Sequence, residues 1–264
     1  MSILQEIFEY PFLIRIFNKI LTDKEKINVI SVNKILNNKK RKLLFTNKYK
    51  CSPEIQNEWY FNLLTKIVVG EVFDFPEKVN ILLFQDTFCK PFRDAIPKTV
   101  THLRLGQTFY CSDIIPNSVT HLVFGDLFDE ELRNFIPSSV KYLKFGNNFN
   151  KDLKNIPDSV THLVFGDSFD EELRNFIPSS VKYLKFGNNF NKDLKNIPDS
   201  VIFLQLGFNF SKSIDDLPNS IKVLKLSSSY NRKITKFPSS LKRLVASTKF
   251  TKENENKLPW NLKK

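Results

Sequence analysis

One unit of about 20 residues, of the form Ile-Pro-x-Ser-Val-x-x-Leu-x-Phe-Gly-x-x-Phe, recurs about nine times along this chain. Its starts fall at Phe75, Ile96, Ile115, Ile136, Ile156, Ile177, Ile197, Leu217 and Phe237, each followed by proline, and a truncated start begins at Leu258. Residues 115–155 recur at 156–196 with two changes, Asn117 to Asp158 and Leu127 to Ser168. A fold tolerates an inserted block of that size when it grows by whole turns, as a solenoid does. The periodicity thus predicts a stack of repeats over residues 67–264.

Within the unit each position has a physical task. In Val140 to Gly146, Leu143 and Phe145 alternate with Tyr142 and Lys144, the period of a half-buried strand. The first pair is expected to point inward and the second outward. Gly146 is expected to let the chain turn off the strand. Phe149 then returns to the core, and Leu153, four residues on, fits a short helical turn. Ile156-Pro157 fixes an extended return segment, because proline sets its own φ and restricts the residue before it. Strands centred on Leu103, Leu122, Leu143, Leu163, Leu184, Leu204, Leu224 and Leu244 should pair in parallel about 4.8 Å apart. A lead-in strand is expected at Ile67 to Phe73.

These spacings resemble the leucine-rich repeat, most of all in Phe237 to Phe250. They are still more similar to the FNIP repeat, named for Phe-Asn-Ile-Pro and common in amoebae and the giant viruses that infect them. Here the signature is split between Phe149-Asn150 or Phe190-Asn191 and Asn155-Ile156-Pro157 or Asn196-Ile197-Pro198. The resemblance implies a horseshoe with a parallel sheet, an α+β solenoid, preceded by a small helical head. An inward asparagine of the kind that forms a ladder in leucine-rich repeats stands only at Asn148, Asn189 and Asn209. The spine is therefore expected to be stacked phenylalanine: Phe109, Phe128, Phe149, Phe169, Phe190 and Phe210.

Residues 1–66 do not repeat. Leu13, Ile16, Phe17, Ile20, Ile27, Ile30 and Ile35 fall at helical spacing, and Thr22 with Glu25 fits a capping box. The order resembles an F-box over residues 1–50, followed by a connecting helical segment over 51–66. Tyr10-Pro11, Ile16-Phe17, Leu21-Thr22-Asp23 and Val32-Asn33-Lys34 carry that resemblance, while the acidic residue after the proline and the late tryptophan are missing. It implies a ligase adaptor subunit docked on Pro11, Ile16, Phe17 and Leu21. The alternative is a cap that shields the first repeat.

Net charge is +12, and residues 1–66 hold 12 Lys and Arg against 6 Asp and Glu. A basic balance raises nucleic acid as a partner, but abundant Lys, Asn, Ile and Phe also reflect compositional bias. No long uncharged apolar run predicts a membrane span. Cys51, Cys89 and Cys111 follow no metal or redox spacing and read as reduced thiols in the cytoplasm, a host cytoplasm if the protein is viral, or in the nucleus, where Lys39-Lys40-Arg41-Lys42 is a candidate address.

Motifs for phosphate loops or catalytic elbows are absent, and the three histidines, His102, His121 and His162, share one repeat position. No enzyme, metal or cofactor is expected. Asp129-Glu130-Glu131 and its copy at 170–172 read as a solvated outer face. Function is assigned to the exposed sheet, through His102, His121, Tyr142, Lys144, His162, Tyr183, Lys185 and Phe203. That surface is expected to hold a protein substrate, with the whole acting as the substrate-recognition subunit of a cullin-RING ligase. A bare scaffold or decoy for a host protein, and nucleic-acid binding, are the alternatives.

Overall fold

In a computed structural model, residues 49–51, 66–69, 79–84, 96–107, 115–259 and 262 are described. They contain eleven strands in one sheet, ordered as in the sequence and parallel throughout. The strands are β1 (Tyr49–Cys51), β2 (Lys66–Val69), β3 (Ile81–Phe84), β4 (His102–Arg104), β5 (His121–Val123), β6 (Tyr142–Lys144), β7 (His162–Val164), β8 (Tyr183–Lys185), β9 (Phe203–Gln205), β10 (Val223–Lys225) and β11 (Arg243–Val245). The central leucines pair in register, Leu143 with Leu163 and Leu163 with Leu184, so the expected parallel strands are present. Strand β1 falls at the junction of the expected head and connecting segment, and β2 begins one residue before the expected lead-in strand and overlaps it over Ile67–Val69. Residues 1–48 of the predicted head, with Pro11, Ile16, Phe17 and Leu21, lie outside the described residues.

A regular strand cannot bury both Val140 and Leu143, three residues apart, on one face. Both are nevertheless fully buried. The N–H groups of Lys141 and Tyr142 resolve this by donating together to one carbonyl, that of Thr120, at 2.8 and 3.0 Å. The same double donation recurs from Thr161 and His162 to Lys141, and from Lys182 and Tyr183 to Thr161. Such a bulge leaves two consecutive side chains facing out and re-aligns the next one inward. Before it, Pro-x-x-Val closes a turn in each repeat, as in Val140 N–H to the Pro137 carbonyl at 3.1 Å.

Phenylalanine forms the interior in two columns. Phe128, Phe149, Phe169, Phe190 and Phe210 stack at 5.9–6.3 Å between centroids. Phe124, Phe145, Phe165 and Phe186 form the second column at 5.4–5.6 Å. Within a repeat the two rings lie about 4 Å apart, as in Phe145–Phe149. Each buried ring contributes roughly 2–3 kcal/mol by leaving water, with about 1 kcal/mol more from ring–ring contact. The expected phenylalanine spine is therefore present, except that Phe109 lies outside the described residues.

Three local expectations need correction. Leu153 is buried, but the chain there makes turns, and no helix lies between β3 and β11 among the described residues. Asn155 instead takes a left-handed φ of 70°, and its amide donates to the Leu132 carbonyl of the preceding turn at 2.6 Å. Asn148, Asn189 and Asn209 are exposed, so they build no inward ladder. Finally, none of the described glycines has positive φ. Glycine is required by proximity: a Cβ on Gly166 would sit 2.1 Å from the Gly146 oxygen, and one on Gly187 would sit 2.0 Å from that of Gly166.

The outer turns are tied by a ladder of hydroxyls. Ser139, Ser159, Ser180 and Ser200 each donate to the carbonyl of the Val one repeat earlier, at 2.7 Å. The stack ends on α1 (Thr248–Glu253), capped by Ser247, which carries Phe250 edge-on against Tyr230 and Phe237. No helix among the described residues is long and apolar enough to cross a membrane.

Candidate functional site

The bulge that buries Val140 and Leu143 also fixes what faces outward. One column of rings runs without a break from β4 to β9. His102 stacks on His121 at 4.0 Å, His121 on Tyr142 at 5.7 Å, and Tyr142 meets His162 at 6.3 Å. His162 then stacks on Tyr183 at 5.5 Å, and Tyr183 on Phe203 at 4.1 Å. All eight predicted sheet residues thus stand on outward strand positions, and six of them form this ribbon. In β10 and β11 the register passes to Val223 and Arg243.

Threonines orient the imidazoles. The hydroxyls of Thr101, Thr120 and Thr161 lie 2.9–3.0 Å from Nδ1 of His102, His121 and His162, and 3.2 Å from a carbonyl of the preceding repeat. When the hydroxyl proton goes to that carbonyl, Nδ1–H must donate to the hydroxyl, which leaves Nε2 as the second polar atom of the ring. Burial holds the His121 pKa below its ordinary value, assisted by the positive charges that His102 and His162 can carry. Burial also raises the Tyr142 hydroxyl, so the phenol stays a hydrogen-bond donor. His102 and His121 lie face to face within 12°, and their in-plane lone pairs do not converge on a shared metal. No group of three metal-ligating side chains occurs among the described residues.

A second outward column runs beside the rings. It alternates: Lys144 on β6, Val164 on β7, Lys185 on β8, Gln205 on β9 and Lys225 on β10. Lys225 sits over the Phe203 ring at 5.3 Å. Val164 is only 7% exposed, so it forms a floor between the lysines. Over it lies a shallow depression of roughly 320 Å³, lined by Tyr142, Lys144, His162, Tyr183, Lys185 and Asp167 among others.

Sequence reasoning missed a third column. Lys141, Lys182, Lys222 and Lys242 are exposed beside the rings, because the bulge turns two successive residues outward. The signal was Val-Lys-Tyr and Ile-Lys-Val, in which the first polar residue was left unassigned. Outward positions of β4 to β11 carry no Asp or Glu. The acids sit elsewhere: Asp129 and Asp170 accept the N–H groups of Asn150 and Asn191 at 2.8 Å and pair with Lys151 and Lys192. Those carboxylates cap the next turn, so the Asp-Glu-Glu segments belong to the outer face as expected, with Asp129 and Asp170 as structural acceptors.

Comparison with known proteins agrees with this architecture. The crystal structure of CroV588, described as a novel circular LRR protein structure, is 32% identical, with a TM-score of 0.66. The match covers 83% of this chain and 35% of that one, so this chain spans about a third of that protein's length. The leucine-rich repeat-containing protein LegL7 from Legionella pneumophila is 16% identical, with a TM-score of 0.42 over 76% of this chain and 83% of its own. No curated protein matches the chain. The model of the FNIP Repeat matches residues 112–148, 149–189, 174–209, 190–229 and 208–245, which together span more than half of the 264 residues. The chain belongs to the FNIP repeat family.

Proposed function

We propose that this solenoid is a protein-recognition module whose working surface is the aromatic ribbon from His102 to Phe203. A single observation carries the reading. Six rings are left on an outward face in a continuous column, while the two interior phenylalanine columns, Phe124 to Phe186 and Phe128 to Phe210, are buried. Rigid aromatic side chains give contact area at low entropic cost and dominate many protein interfaces. The reading involves no bond chemistry, only the holding of a partner.

The resemblance of residues 1–50 to an F-box extends the proposal. In that arrangement Pro11, Ile16, Phe17 and Leu21 dock a ligase adaptor, and the sheet presents a substrate for ubiquitin transfer by proximity. A scaffold that lacks ligase attachment is the second reading, supported by the incomplete F-box pattern after Pro11.

The test is affinity capture with the full chain and with a Tyr142→Ala/Tyr183→Ala/Phe203→Ala variant. A protein retained by the first and lost by the second, with both variants folded, supports the surface. Retention by both overturns it. Direct binding of purified adaptor to the full chain, abolished by Ile16→Asp, separates the ligase reading from the scaffold reading.

A further inference from the structure

The lysine column has a period of its own. Lys144, Lys185 and Lys225 stand on every second strand, separated by Val164 and Gln205. Parallel strands lie about 4.8 Å apart, so these cations recur roughly every 10 Å along the solenoid. Lys144 and Lys185 make no salt bridge among the described residues, no acid stands at an outward position of β4 to β11, and Asp167 at the edge of the depression already accepts the Asn188 N–H at 3.1 Å. The depression over Val164 lies between them, with a phenol on each side.

We propose that this face holds an acidic protein segment lying across the strands in a polyproline-II conformation, with a carboxylate at every third residue placed between successive lysines. The inference rests on the reading of the sheet as a protein-recognition surface. A polyproline-II chain rises about 3.1 Å per residue with three residues per turn, so one face repeats every 9.3 Å or so, close to the lysine pitch. Its backbone has no internal hydrogen bonds. The Tyr142 and Tyr183 hydroxyls and the imidazole nitrogens supply partners beside the lysines.

Single-stranded nucleic acid also favours cations with aromatic rings. The ring spacing argues against it. A base inserted between two rings needs about 7 Å, twice the stacking rise of roughly 3.4 Å. The ribbon's centroids stand 4.0–6.3 Å apart, with faces already turned to each other. What remains for a ligand is ring edges and lysines, which suit carboxylates and backbone carbonyls.

Fluorescence anisotropy on the full chain tests this with three labelled probes: a peptide of four Glu-Pro-Pro units, its Gln-Pro-Pro counterpart, and an oligothymidylate of similar length. The glutamate peptide should bind, weaken as salt is raised, and bind at least about tenfold less to Lys144→Glu/Lys185→Glu/Lys225→Glu. A Lys195→Glu/Lys212→Glu/Lys233→Glu control, charged equally but away from the strands, should keep its affinity and the parent melting temperature. Equal binding of the glutamine peptide, or full retention by the triple variant, overturns acid recognition. In that case the sheet reading still stands or falls on the Tyr142→Ala/Tyr183→Ala/Phe203→Ala capture. No binding of the glutamate peptide overturns the inference in the same separable way. Tighter binding of oligothymidylate that is lost in the triple variant overturns both.

Discussion

The duplicated centre, residues 115–196, and the C-terminal turns beyond Leu217 use one repeat plan with different chemistry. In the centre each turn buries two phenylalanines and keeps a glycine that almost touches the turn before it. Toward the end the first phenylalanine becomes Leu206, Leu226 and Ala246, and the glycine becomes Ser227 and Ser247. A backbone link changes with them. Asn189 N–H donates to the Asp167 carbonyl and Asn209 N–H to that of Asn188. Ser229 N–H instead turns back to the Ser227 hydroxyl at 3.2 Å, and the Ser229 hydroxyl reaches Phe208. The centre is thus locked by close backbone stacking, whereas the end uses side chains. Glycine and the second ring are requirements of tight stacking, not of the repeat length.

The strongest way to break this contrast is in the ring column. Phe149 touches three rings, Phe128, Phe145 and Phe169, and is fully buried. Phe149→Ala should cost about 4 kcal/mol in chemical denaturation. At the end, Tyr230 occupies the same register, stacked on Phe210 and edge-on to Phe250, with its hydroxyl donating to the Lys212 carbonyl at 3.0 Å. Burial and the nearby Asp215 carboxylate push its pKa up to about 12, so it remains a donor across the ordinary pH range. Tyr230→Phe should therefore cost only about 1 kcal/mol, the worth of one hydrogen bond. Equal losses would mean that the columns are not coupled as the stacking implies.

Next in size is the glycine. Gly166→Ala places a Cβ 2.1 Å from a backbone oxygen, which no rotamer change relieves, and should cost about 3 kcal/mol. Ser227→Ala, at the equivalent place near the end, loses only exposed hydroxyl contacts and should stay within about 0.5 kcal/mol. A smaller contrast lies in the hydroxyl ladder. Ser159→Ala removes the bond to the Val140 carbonyl and should cost about 1 kcal/mol. Ser240 is exposed, and its hydroxyl makes no such bond, so Ser240→Ala should be neutral. A uniform cost along the ladder would show that the end turns are as tightly stacked as the centre.

Much of this was readable in the sequence, because a period of about 20 residues leaves few ways to bury Val, Leu and Phe together. Strand positions, parallel order and the Phe128-to-Phe210 spine follow from it. What escaped has specific causes. The spacing of Val140 and Leu143 hides a bulge, which shows only as two N–H groups on one carbonyl. Leu153, four residues after Phe149, mimics helical spacing, although the Asp152 carboxylate accepting Lys154 N–H and left-handed Asn155 make turns there. Glycine suggested a special φ, yet the true cause is a neighbour 20 residues away that local reading does not contain. On the sheet, the ring and lysine columns were legible by alternation. The Lys141, Lys182, Lys222 and Lys242 column was not, because it exists only through the bulge.

The smallest expected effect separates the two regions by pH. Histidines lie in the ring column of β4, β5 and β7, and none stands in β8 to β11. His121 has its pKa held below the ordinary 6.5 by burial, then by His102 and His162. The unfolded chain therefore binds a proton at His121 more readily than the folded one does. The contribution of neutral His121 is present above the unfolded pKa of 6.5 and declines as pH falls through the lower folded value. Much of the ring meets solvent, which keeps the effect small. His121→Phe retains a flat ring between His102 and Tyr142 but cannot titrate. Its melting temperature should fall less than that of the parent between about pH 7.5 and pH 5, straddling the histidine range. An Arg243→Gln control at the far end of the same column should track the parent, since it leaves the histidines alone. Identical acid slopes for parent and His121→Phe would remove the imidazole ribbon as a source of acid sensitivity.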